Sequence, residues 1–195
     1  MNQHTCSRIA KPAAAALTLL ALVVFLSLSA QAQQKMPPPN RSLGPLAPSA
    51  CDAVAGNLVV NCGFETGDFT GWNVSGFDTN HVFASGNLHT GAFAASLESV
   101  GGLGRISQTL ATTPGQIYTL SFFFQNGGSP NNFQVSFGPA SVIFPYPLSG
   151  ELANMPDFPY TQYISAPLTG SGADVVAFCA RNDPVFFVVD DIVVQ

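Results

Sequence analysis

Positive charge is almost missing from this sequence. Of 195 residues only six are Lys or Arg, and Asp and Glu together add 11. The charged fraction of 9% stands against roughly 25% for an average soluble domain, which excludes long helices with charged, solvated outer faces. Arg8 and Lys11 lie at the extreme N-terminus, so Lys35, Arg41, Arg105 and Arg181 are all that remain for the rest of the chain. Four scattered cations cannot form the basic stripe that phosphate binding needs, so nucleic acid is excluded as an expected partner. No second apolar run of about 18 residues follows the first, and no membrane span is expected once that first run is removed. Trp occurs once and His three times. GxSxG, HExxH and phosphate-loop patterns are missing, and the expectation is a protein that is not an enzyme.

What is present begins with a targeting pattern. Arg8 and Lys11 precede an apolar run from Ala13 to Leu28, and Ser29-Ala30-Gln31-Ala32 follows as a small-residue cleavage site. Residues 1–32 therefore read as a secretory signal peptide. Residues 33–50 hold five prolines and read as a linker with no fold of its own. Residues 51–195 form one domain. Secretion to an extracellular or periplasmic space permits disulfides. The thiols past the signal are Cys51, Cys62 and Cys179, an odd number. A Cys51–Cys62 bridge is expected because the short segment between them can loop back. Cys179 sits in an apolar strand, where a leftover thiol behaves as a small hydrophobe.

From Asn57 onward short β-type runs alternate with Gly, Asn, Pro and Asp. Strands are expected near 57–61, 71–76, 81–85, 92–98, 104–110, 117–125, 132–137, 140–144, 160–166, 173–181 and 185–194. The fold class is all-β, an antiparallel two-sheet β-sandwich of jelly-roll topology. Tyr118, Leu120, Phe122 and Phe124 share one face by alternation, as do Phe133, Val135 and Phe137. Taking these as core faces places Phe123, Gln125, Gln134, Tyr163 and Arg181 together on the outside of one sheet. Two aromatics, two amides and a guanidinium make a plausible glycan surface, since a ring face meets the C–H side of a sugar and amides fix its orientation. Trp72 is expected in the core. His81 and His89 stand eight apart with nothing else of ligand type beside them, so they are not read as a metal pair.

The segment from Asn57 to Trp72, NLVVNCGFETGDFTGW, resembles the opening of galactose-binding-like jelly rolls. These are carbohydrate-binding modules of the cellulose- and xylan-binding type and related domains of bacterial sorted surface proteins. Ser107-Gln-Thr-Leu, Thr113 to Phe122, Tyr160-Thr-Gln-Tyr163 and Arg181-Asn-Asp-Pro with Asp190-Asp-Ile-Val-Val194 extend the resemblance to the end of the chain. It implies a non-catalytic carbohydrate-binding-like module for cell-surface or matrix polysaccharide. A structural or adhesive envelope protein that binds protein partners or itself is the other expectation. The resemblance also implies a structural Ca²⁺ held by Glu65 and Asp190, a pairing that suits an all-oxygen cation shell. Asp190 is expected to point inward with Ile192 and Val194; Asp191 is the further ligand if a bulge shifts that parity. The opposing expectation is that Arg105 or Arg181 neutralises the acids, or that they sit in solvent.

Overall fold

The computed structural model describes residues 48–76, 79–83, 88–142, 152–183 and 185–195. The signal segment and nearly all of the linker therefore lie outside the described residues. After a 3-10 turn at Ala50–Ala53 the chain forms β1 (Asn73–Ser75), β2 (Thr79–Phe83), β3 (Ala94–Glu98), β4 (Gly104–Leu110), β5 (Ile117–Tyr118) and β6 (Leu120–Asn126). Then come β7 (Asn131–Phe137), β8 (Ala140–Ser141), β9 (Leu152–Ala153), β10 (Phe158–Ile164), β11 (Leu168–Thr169), β12 (Asp174–Asn182) and β13 (Phe187–Val194).

One sheet runs β1-β4-β12-β7-β8, with β9 also on β7; the other runs β10-β6-β13-β3-β2; β11 and β5 make a small ribbon. All registered pairs are antiparallel. The two late strands β12 and β13 insert between early ones in both sheets, the long-range pairing of a jelly-roll sandwich. Alternation does the local work: β6 buries Leu120, Phe122 and Phe124 while Ser121, Phe123 and Gln125 stay half-buried on the other side. Phenylalanine fills the space between the sheets. Phe122 meets Phe178 edge-on at 5.1 Å, Phe124 stacks on Phe133 at 4.1 Å, and Phe187 meets Phe133 at 5.3 Å. Each such ring contributes about 1.5–3 kcal/mol through burial. Trp72 is buried beside Phe64, as expected, with its indole N–H on Asn61 O.

Several strand boundaries differ for identifiable reasons. Residues 57–61 are not a strand. Leu58 N donates to Val194 O, but Val194 N turns to the Asn57 side chain, so an amide replaces the ladder. The expected strand 117–125 breaks at Thr119, which exchanges both backbone bonds with Gln195. Tyr163 is a core residue, not a surface one. A register shift between Phe158 and Thr161 sets it opposite Phe122, and the two rings stack at 5.5 Å. The Cys51–Cys62 disulfide is formed. No free cysteine remains among the described residues, so Cys179 is not the leftover thiol that an odd count implied.

The bulge allowed for at the chain end is present. The β13–β6 register shifts between Asp190 and Val193, and Asp191 takes φ 50°. Val189, Ile192 and Val194 stay in the core, whereas Asp190 pairs with Phe123 and shares its outward face. The inward parity expected for Asp190 is thereby corrected. Asp190 is nonetheless fully buried, because other segments cover it.

Candidate functional site

Those covering segments make the site. Asp190 Oδ2 accepts the backbone N–H groups of His89 and Thr90 at 3.1 and 3.3 Å, and Oδ1 accepts Asp191 N at 2.8 Å. Asp191 Oδ1 accepts Ser49 Oγ–H and Cys51 N–H; its Oδ2 takes His89 Nδ1 and Thr90 Oγ1, each at 2.6 Å. Glu65 accepts Ala92 N through both oxygens and Phe93 N through Oε1. One short segment, residues 89–93, is thus pinned by three carboxylates drawn from two distant parts of the chain. Ile192 N on Cys62 O ties the bulge to the turn that carries Glu65. The disulfide adds a covalent tie between that turn and the 3-10 turn holding Ser49 and Cys51.

Two glycines let the backbone approach. A Cβ on Gly91, which has φ 70°, would overlap Glu65 Oε1, and one on Gly63 would overlap Ser49 Oγ.

Neither arginine neutralises the acids. Arg181 pairs with Asp183 at 2.6 Å, no Lys or Arg is paired with Asp190, Asp191 or Glu65 among the described residues, and the nearest basic-type side chain, His89, meets Asp191 through Nδ1 at 2.6 Å. Burial, helped by the neighbouring Asp191 charge, lifts the Asp190 carboxyl to about 7 despite its backbone donors. Burial also raises Asp191, but bonds from Ser49, Thr90, His89 and Cys51 outweigh it and the net direction is down. Glu65 is raised by burial, against its two backbone donors, with smaller contributions from Asp52 and Asp191. Burial and the two aspartates also raise the Tyr160 hydroxyl.

The donor set can be tested against a cation. An ionised carboxylate offers about four acceptor positions. Asp191 has two donors on each oxygen and is full. Asp190 keeps room on Oδ1 and Glu65 on Oε2. Both are oxygen donors of the kind a hard cation prefers and neither has a Lys or Arg paired to it among the described residues, but Glu65, Asp190 and Asp191 do not bring their oxygens together into one ligand cluster. Cys51, Asp52 and Cys62 do lie close together, but both sulfurs are in the disulfide and cannot ligate.

Beside this knot lies the outward face of the five-stranded sheet. The His89 ring stacks on Phe123 at 3.4 Å with 16° between planes, and Tyr160 stands 5.6 Å from His89. Gln162 is opposite Phe123, and Gln125 follows two residues on with Val188 and Ser96 across from it. Gln125 Oε1 and Ser96 Oγ are buried without a hydrogen-bond partner. The five expected ligand residues do not converge. Phe123 and Gln125 share this face, Gln134 and Arg181 lie on the six-stranded sheet opposite Cys179 and Asn132, and Tyr163 is in the core. Ser49 and Thr90 were not anticipated, and His89 was weighed only as half of a metal pair. The His81 side chain lies outside the described residues.

A carboxyl whose folded pKa exceeds its unfolded value near 3.8 stabilises the fold most at low pH, and that contribution fades as pH rises through about 7. In chelator, the unfolding free energy from urea melts is therefore expected to rise between about pH 8 and pH 5, by roughly 2–3 kcal/mol, and the midpoint with it. Asp190→Asn should flatten this rise. A wild-type midpoint that does not change over that range would contradict the burial of the Asp190 charge.

No family model and no curated protein matches the chain. Solved structures do. TmCBM61, solved with β-1,4-galactotriose, aligns with a TM-score of 0.55 at 21% identity, over 71% of this chain and 97% of that one. The enzymatically active domain of bacteriophage CBA120 tailspike protein 4 aligns at 0.52 and 16%, over 71% of this chain but only 21% of that one. The N-terminal CBM22-1–CBM22-2 tandem domain from Paenibacillus barcinonensis Xyn10C aligns at 0.50 and 11%, over 68% of this chain and 44% of that one. At these identities the likeness concerns architecture, and the motifs at the two ends of the domain implied the same architecture. The chain has the fold of the carbohydrate-binding modules.

Proposed function

We propose that this chain is an exported, non-catalytic glycan-binding module that takes polysaccharide on the outward face of the five-stranded sheet. One observation carries the reading: a rigid aromatic and amide row built from Phe123, His89, Tyr160, Gln125 and Gln162. The His89 ring is fixed from below by Phe123 and from the side by Asp191. A preformed platform of this kind loses little entropy when a sugar stacks on it. The TmCBM61 structure contains β-1,4-galactotriose, and the shared architecture makes a glycan the natural first ligand to try. The Cys51–Cys62 disulfide supports export, because such bonds persist in oxidising compartments. No helix among the described residues is long and apolar enough to cross a membrane.

Calcium belongs to the same reading, held by Glu65 and Asp190. The cation would supply positive charge where the fold buries two adjacent acids with no Lys or Arg paired to them among the described residues. Asp191 acts beside it as an organiser, saturated by Ser49, Cys51, His89 and Thr90.

On a glycan array the protein should bind one or more neutral β-linked polysaccharides without hydrolysing them. Phe123→Ala should lower that signal about tenfold, removing the ring beneath His89. Gln134→Ala, on the other sheet, should leave it unchanged. An array silent for the folded protein would remove the glycan reading. For the cation, the melting temperature should rise with Ca²⁺ and fall with chelator. Loss of this response in both Glu65→Gln and Asp190→Asn supports the assignment, and an unresponsive wild-type melt would end it.

A further inference from the structure

Two oxygens stand against the sulfurs of the Cys51–Cys62 disulfide. Ser49 Oγ lies 3.0 Å from Cys51 Sγ, and Asp52 Oδ1 lies 3.5 Å from Cys62 Sγ. A disulfide sulfur has no hydrogen to give, so in the oxidised protein the Asp52 contact is not a hydrogen bond. Asp52 is nonetheless held in place, because its other oxygen accepts the Ser49 backbone N–H at 3.2 Å. Cys51 and Cys62 are each 2% exposed, whereas Asp52 faces solvent. The ligand atoms of Cys51, Asp52 and Cys62 all fall within 4.8 Å of one another. No other group of three His, Cys, Asp or Glu side chains among the described residues comes together in this way.

We propose that these three residues form a redox-gated metal site, closed by the disulfide and opened by its reduction, for a thiophilic divalent cation, Zn²⁺. A dithiol reductant delivers two electrons and two protons: the S–S bond breaks, two thiols form, and the reductant leaves as its own disulfide. The cation then binds both sulfurs as thiolates, and their two protons pass to water. In a tetrahedral zinc site a sulfur and an oxygen ligand stand about 3.5 Å apart. Asp52 Oδ1 and Cys62 Sγ already have that separation. Two sulfur ligands stand about 3.8 Å apart, a spacing that side-chain rotation reaches when the Cα atoms are 6.1 Å apart. The exposure of Asp52 leaves the fourth position to water. Two thiolates with one carboxylate select a softer cation than calcium, which takes oxygen ligands. Each chain passes through the two-thiol state before its disulfide forms. A cation bound there withholds both thiolates from oxidation, so metal and disulfide compete for the same sulfurs.

Co²⁺ is the probe, because it takes zinc-like tetrahedral sites and its thiolate bonds give a charge-transfer band in the near ultraviolet. The full chain is reduced with a phosphine, which unlike a dithiol does not compete for the cation, and is kept in Ca²⁺ throughout. It should gain the band at one Co²⁺ per chain, and Zn²⁺ should bleach it. The oxidised protein should show no band. Cys62→Ser should remove it, and Cys179→Ala should leave it unchanged. Asp52→Asn should weaken Co²⁺ binding at least about tenfold, the cost of losing even a group that only supports a metal ligand. Zn²⁺ should also slow reoxidation of the reduced protein, read by alkylating the thiols at intervals. A reduced protein with native Trp72 fluorescence and no band would overturn the proposal. So would a band that survives Cys62→Ser, or an affinity unmoved by Asp52→Asn. Loss of native Trp72 fluorescence on reduction alone would overturn it too, because the site needs both turns in place.

Discussion

Two adjacent aspartates, buried on a bulge with no Lys or Arg paired to them, are the constraint around which this end of the molecule is built. Burying an uncompensated carboxylate is costly, and the fold meets that cost with hydrogen bonds. Asp191 collects four donors and Asp190 three, and nearly all come from segments far away in sequence. The bulge itself turns the two side chains to their work: without the register shift between Asp190 and Val193 the aspartates would sit on the opposite faces of β13. A partly satisfied network of this kind would destabilise the fold more than an apolar replacement would. That asymmetry explains why Ser49, the disulfided turns and the 89–93 segment all converge on one place.

The same constraint links stability to the ligand face. His89 donates its backbone N–H to Asp190 and its ring N–H to Asp191, while the ring itself covers Phe123. A loop that would otherwise be free to rearrange is held on the sheet by acids on its underside. The aromatic row is therefore a product of the carboxylate knot as much as of strand alternation. A cation on Glu65 and Asp190 would strengthen both, because those residues hold the two ends of the one segment.

The β-sandwich was legible in the sequence because alternation in β6, β7 and β12 is regular and turn residues separate the runs. The opening motif through Trp72 and the closing Asp190–Val194 motif placed the first and last segments side by side, and Glu65 and Asp190 do meet the same loop. Faces were less legible. Tyr160-Thr-Gln-Tyr163 has an aromatic on each parity, and the register shift at its start sends Tyr163 inward where alternation from the wrong origin sent it outward. Phe123 and Gln125 kept their face because β6 is uninterrupted. Gln134 and Arg181 have the right parity but belong to the other sheet, and strand parity alone carries no information about which sheet a strand joins. Ser49 and His89 left no local signal at all. Their partner is Asp191, 142 and 102 residues away in the chain, and a serine in a Pro-rich stretch looks like linker until the fold closes over it.

The central claim is that buried carboxylates hold the 89–93 segment in place and so assemble the ligand face. Backbone amide hydrogen exchange of His89, Thr90, Ala92 and Phe93 addresses it directly, comparing the wild type with Asp190→Asn. The four amides should be slow in the wild type. His89 and Thr90 should lose about tenfold or more in protection in the variant, while the central amides of β6 and β12 stay slow. Fast exchange of all four in the wild type, or protection unchanged by Asp190→Asn, would contradict the account.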